Sequence, residues 1–143
     1  MSFADHATEY TDVKTANGSV VGSVRPMNDV DFSLLWQKHA EAMELVVSQF
    51  FAARLEGGDL DFGSLISGAV RNVPDLITDV ICVASDEHLA DWDKVFASVS
   101  RMSIGLRIEC LNTILRITSE AEGGLAKVLF LINASRPKAA DAS

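Results

Sequence analysis

Basic residues are scarce in this chain: of 143 residues, 12 are Lys or Arg against 20 Asp or Glu, a formal net charge of -8. That deficit argues against a grip on a phosphate backbone, which needs clustered Lys and Arg, so no nucleic-acid partner is expected. The charge suits a soluble cytosolic protein that resists clumping. Only two cysteines occur, Cys82 and Cys110, each inside an apolar stretch ("VICVAS" and "IECLNTIL"). They are expected to be buried free thiols in a reducing compartment. No run is apolar for the ~20 residues that a bilayer crossing needs, so no membrane partner is expected. The opening "MSFADHATEY" has acids where a signal peptide carries Lys or Arg, and no apolar run follows. Without secretion, the N-x-S sequons at Asn17 and Asn133 carry no meaning. Aromatic residues make up only 7% of a chain that is 48% hydrophobic, which points to an aliphatic core.

What is present reads as one domain, long enough to bury a core without staples. Residues 1–10 are polar and read as a flexible N-terminus. The segment 11–25, "TDVKTANGSVVGSVR", has two short β-prone runs around Asn17-Gly18, a pair that favours a type I′ hairpin turn. A lone hairpin is marginal in water, and the helix that follows is its expected support. That helix is predicted over about 29–55, capped by Asp29 with Asp31 in its first turn and stopped by Gly57-Gly58. It would be roughly 40 Å long. Phe32, Leu35, Trp36, His39, Ala40, Met43, Val46, Val47 and Phe50 fall on one broad face, and the period is helical.

Five shorter helices follow by the same reasoning. One starts at Asp59 or Asp61 with Phe62, Leu65, Ile66, Ala69 and Val70 on one side. Pro74 opens the next as a first-turn proline. Ser85 or Asp86 is expected to cap another, which carries Leu89, Trp92, Val95, Phe96 and Val99. From about Ser103, "SIGLRIECLNTILRITSE" is apolar over so wide an arc that it must pack on two sides, at the centre of the bundle. Gly123-Gly124 precede a last apolar helix, "LAKVLFLIN", and 135–143 reads as a flexible tail. The expected fold is all-α, a helical bundle of about six helices over 11–134, with a small N-terminal β-hairpin.

The chain carries no recognisable catalytic or metal signature. His6, His39 and His88 share no spacing with the cysteines that zinc would need, and His39 reads as a satisfied core or boundary histidine. "DLDFG" (59–63) fails as a calcium loop, with its glycine at the fifth position and no glutamate at the twelfth. It also fails as a kinase motif, lacking the glycine-rich loop and the lysine strand; it reads as a helix N-terminus. "GSVVGSV" lacks the Lys-Ser/Thr of a P-loop and the spacing of a dinucleotide fingerprint. Asp75, Asp79, Asp86 and Asp91 read as a solvated face. The expectation is no enzyme, no cofactor and no metal. The feature left over is on the long helix, where Leu34 and Leu45, eleven residues apart, line up on the otherwise polar side with Ala52 beside them. They form either a partner-facing ridge, a strip covered by the hairpin, or ordinary exposed leucines.

The order of segments carries a resemblance. A β-turn-β element leads into "VRPMNDVDFSLLWQKHAEAMELVV", followed by "LISGAVRNVPDLITDVICVAS", a Trp-Asp acidic helix and "LNTILRITSEAEGGLAKVLFLI". Over roughly residues 10–132 this resembles the tail assembly chaperones of long-tailed bacteriophages, also called pre-tape-measure proteins. The resemblance implies a non-enzymatic protein of the infected cell's cytoplasm, absent from the mature virion. It implies a partner, the long helical tape measure protein, kept soluble while the tail tube polymerises around it. Self-association and the tail tube protein are further implied partners, and no catalytic residues carry over. Two other readings stay open: a helical virion protein retained in the particle, and a small-ligand-binding regulatory bundle.

Overall fold

A computed structural model describes residues 2–3, 6–55 and 62–137 of the chain. Within them the protein is mainly helical, with an N-terminal hairpin, as the periodicity predicts. The strands are β1 (Thr11–Lys14) and β2 (Val20–Val24), and the helices are α1 (Asp29–Lys38), α2 (Ala40–Leu55), α3 (Phe62–Asn72), α4 (Pro74–Ala84), α5 (His88–Ser100), α6 (Ile104–Glu122) and α7 (Leu125–Ala134). The expected stop at Gly57-Gly58, the start at Asp59 or Asp61, and positions 1, 4, 5 and 138–143 of the two expected flexible ends lie outside the described residues.

The hairpin is antiparallel, with Thr11 opposite Val24 and Val13 opposite Gly22, and its register shifts after Val13. Its turn differs from the type I′ expectation. A type I′ turn needs positive φ at both central residues, but Asp86 is the one non-glycine residue with positive φ among those described, so Asn17 does not qualify. Instead Gly18 N–H donates to Thr15 O at 2.9 Å, and Gly18 alone takes the left-handed conformation, at φ 88°. Thr15 and Ser19 then close the loop, with Thr15 N–H donating to Ser19 O at 2.8 Å.

The hairpin's support is also different from that expected. Both strands lie against α6, and Val13 and Val24 enter the main core. Arg25 N–H donates to Ala84 O at the end of α4, 2.9 Å away. Arg25, Pro26, Met27 and Asn28 join β2 to α1. Asn28, not Asp29, is the N-cap of α1, in a reciprocal capping box with Asp31. Met27 and Phe32 sit at the two positions of a hydrophobic staple, and both are buried.

The predicted long helix is two helices. His39, at φ -134° and ψ 50°, interrupts it between α1 and α2, which raises the helix number from six to seven among the described residues. No Pro or Gly marks the break; tertiary contacts of Lys38 and His39, described below, hold it. One result is that Ala40, expected on the apolar face, is exposed.

Helix α4 touches α1, α3, α5 and α6, and α6 touches α3, α4, α7 and the hairpin. The wide apolar arc of α6 is thus accounted for. Cys82, Val83 and Ala84 of α4 and Ile114 of α6 are fully buried. Ser103 caps α6 by accepting from Leu106 N–H at 3.1 Å, and Gly123 ends it in the left-handed conformation at φ 89°. Helix α7 is fastened to α1 by Trp36 Nε1–H, which donates to Ile132 O at 2.8 Å. The Arg136 guanidinium stacks 4.6 Å from the Trp36 ring and pairs with Glu44 of α2. No helix among the described residues is long and apolar enough to cross a membrane.

Candidate functional site

Two polar clusters, one buried and one partly buried, join the elements of the fold. The first forms on Asp79, the single acid of the apolar α4 sequence "LITDVICVA". Its side chain is 0% exposed. Oδ1 accepts from Trp92 Nε1–H of α5 at 2.6 Å. Oδ2 lies 2.6 Å from His39 Nε2 and 3.1 Å from Lys38 Nζ, both at the α1–α2 break. The Lys38 ammonium also sits 4.1 Å from the centre of the Trp92 ring, a cation–π contact that shares its charge with the aromatic face. One carboxylate therefore ties α1, α4 and α5 together and fixes the break in the helix. His39 is satisfied at the boundary, as its sequence position suggests. The expectation of a solvated acidic face fails for Asp79.

The second cluster forms on Arg25, just after β2. Its guanidinium donates to Asp31 Oδ2 at 2.7 Å and Oδ1 at 3.0 Å, a bidentate fork, and to Asp86 Oδ2 at 2.9 Å and Oδ1 at 2.8 Å. Tyr10 O–H donates to Asp86 Oδ2 at 2.6 Å. The two carboxylates hold Arg25 more firmly charged than usual. Arg25 in turn holds the Asp86 carboxyl below the usual carboxylate range, against the opposing effect of burial. The hydrogen bond to Asp86 raises the Tyr10 hydroxyl. Asp86 itself sits at φ 63°, a conformation Asp tolerates better than most residues. It follows the end of α4 and turns its carboxylate back to Arg25. It is not the cap of α5. Asp91, extended at φ -159° and ψ 95°, interrupts α5 and caps the rest of it by accepting from Lys94 N–H at 3.1 Å.

Both clusters are saturated by ion pairs and hydrogen bonds, and their geometry joins elements. Among the described residues no group of three or more His, Cys, Asp or Glu side chains is placed to hold a metal ion. Cys82 and Cys110 are buried and free. Burial pushes the Cys82 thiol up to about 12, aided by the nearby Asp79 charge, and burial pushes Cys110 up to about 11. The thiolate is the reactive form, so a disulfide-exchange reagent at pH 8 should label native protein at least about a hundredfold more slowly than denaturant-unfolded protein. Equal labelling rates in the two states would contradict this burial.

A model of the pre-tape measure protein family matches residues 1–140. The chain belongs to this family. No curated protein and no solved structure matches it. The family is of a phage tail type, and the partner-facing residues expected from the sequence lie on the surface of α1 and α2.

On that surface the three residues singled out in the sequence part company. Leu34 is half-buried and packs against the core. Leu45 is 42% exposed, and Ala52 is exposed two turns further along α2. The break at His39 interrupts the eleven-residue register on which Leu34 and Leu45 would have aligned. Around Leu45 and Ala52 the outer face of α2 carries Glu41, Ser48 and Gln49, all exposed. Phe51 of α2 and Phe130 of α7 are further exposed apolar side chains, and sequence reading missed them because each lies in a run of apolar neighbours. The two polar clusters were missed as well. An acid inside the apolar run "LITDVICVA" was the legible signal for Asp79; nothing local marks Arg25.

Proposed function

We propose that the protein is a phage tail assembly chaperone that binds the tape measure protein and keeps it soluble while the tail tube forms. It acts in the host cytoplasm and leaves before the virion is complete. The observation that supports this most is the outer face of α2, where Leu45 and Ala52 stand exposed among acidic and polar neighbours in a member of the pre-tape measure protein family. An amphipathic client helix can set its apolar stripe against such a ridge, with the acids at its rim tuning the contact. A net charge of -8 does not hold an arbitrary client by charge, so the contact is apolar in the main.

The test is co-expression with the tape measure protein that this reading names as client, comparing wild type with a Leu45→Glu, Ala52→Glu double variant. Burying one leucine is worth about 1.5–3 kcal/mol, and ordering costs offset part of it. The double variant is therefore expected to weaken client binding by roughly tenfold or more and to lower the soluble client fraction. Circular dichroism should confirm that the variant remains folded. Leu34→Glu is a poorer probe, because Leu34 packs against the core and its replacement acts on stability. A folded double variant that rescues the client as well as wild type would remove α2 as the binding face. Wild-type protein that gives no rescue and is found in purified virions would replace this reading with that of a retained structural protein. Self-association belongs to the same proposal, and light scattering at high micromolar concentration reads it directly; a lone monomer in low and moderate salt is the contrary result.

A further inference from the structure

Beneath α2 the described residues leave a space in the core. A cavity of about 80 Å³, partly open to solvent, lies between Met43, Val47 and Phe50 of α2, Ile66 of α3, Ile77 of α4 and Ile114 of α6. Its walls are almost wholly carbon. Of the polar side chains at its edge, Thr118 Oγ1 is already engaged, accepting from Met27 N–H at 3.0 Å, and Gln49 belongs to an exposed residue. A buried water needs two to four polar partners, and apolar cavities without them stay dry. Native interiors hold few voids larger than a water molecule, so an empty space of this size has no partner atoms where close packing would supply them.

We propose that this void is a binding site for one compact apolar molecule. Its size sets the class. Engineered cavities of about 150 Å³ take benzene or xenon; at about half that volume, the fitting ligands are xenon and hydrocarbons or halocarbons smaller than a benzene ring. Ile66 and Leu115 line both this cavity and a second groove among α3, α6 and the first residue of α7. A bound molecule touches four helices at once and fastens α2, which the break at His39 separates from α1, onto the body of the domain. Neither the pre-tape measure family nor the proposed chaperone role requires this site, so it stands or falls independently of them.

Xenon is the probe, applied under pressure to the full chain with methyl-labelled Val, Leu and Ile. Saturable shifts are expected at the methyls of Val47, Ile66, Ile77 and Ile114. Two filling variants approach from opposite walls: Val47→Leu from α2 and Ala69→Leu from α3, where Ala69 also lines the void. Each is expected to weaken xenon binding by at least about tenfold, and the second serves if the first fails to fold. Shifts that are absent in wild type, or that rise without saturation across exposed methyls alike, would overturn the proposal. So would saturable binding that persists unchanged in a folded filling variant, because the site would then be elsewhere.

Discussion

Replacing Arg25 by methionine is expected to destabilise the fold by about 3–5 kcal/mol at pH 7 and to lower the melting temperature by roughly 10–15 °C. Methionine keeps much of the aliphatic stem and deletes the charge. What remains is Asp31, 5% exposed, with two hydrogen-bonded donors removed from its carboxylate, and Asp86 deprived of the group that depresses its pKa. A buried carboxylate without its partner is the costly half of a broken ion pair. Arg25→Lys restores a point charge but not the fork that reaches both carboxylates, and should recover only part of the loss.

The acid limb provides a second readout of the same cluster. The Asp86 pKa is lowered in the folded state, so its contribution is fully present above the unfolded carboxylate value of about 3.9. It is lost as pH falls through the depressed folded value. Urea unfolding of wild type should therefore lose stability from this group below about pH 4, while Arg25→Met, already lacking the interaction, should show a shallower loss there. Variants that stay a constant free energy apart from pH 7 down to pH 2 would contradict the assignment.

Asp79→Ala is expected to cost about 3 kcal/mol, the sum of the losses at a buried indole N–H and a mostly buried imidazole, at ~1–3 kcal/mol for each unsatisfied donor. Lys38 adds little, because its half-exposed side chain can turn to water. The structural consequence should be local. Without Asp79, nothing else described draws His39 toward α4, so the α1–α2 break is expected to relax. Amide hydrogen exchange should accelerate around residues 36–43 and at the Trp92 indole more than in α6. Asp79→Asn keeps one acceptor oxygen and should lie between alanine and wild type, at about 1–2 kcal/mol. An alanine variant as stable as wild type, with unchanged exchange near His39, would show that the cluster does not hold the break.

The sequence by itself determined the helical class, the hairpin, the first-turn proline of α4, the start of α6 near Ser103 and the break at Gly123. Each rests on interactions within a few residues: a period of apolar side chains, a backbone group satisfied by its neighbour, a φ that glycine takes without strain. The burial of Cys82 and Cys110 was also legible, because an apolar run surrounds each. Only the tertiary structure decided where the long helix breaks, what supports the hairpin, and which acids are structural. His39 breaks the helix without Pro or Gly because its imidazole and the Lys38 ammonium meet a carboxylate forty residues away in sequence. Asp86 looks like a helix cap, yet it occupies a left-handed position that aims it at Arg25, sixty-one residues back. The same holds for the partner surface. A helical wheel treats 29–55 as one rigid cylinder and places Leu34 with Leu45; the break turns α2 independently of α1, so Leu34 packs on the core and Leu45 stays exposed. Long-range ion pairs outweigh a local helical preference of under 1 kcal/mol per residue, and no local reading of the chain contains them.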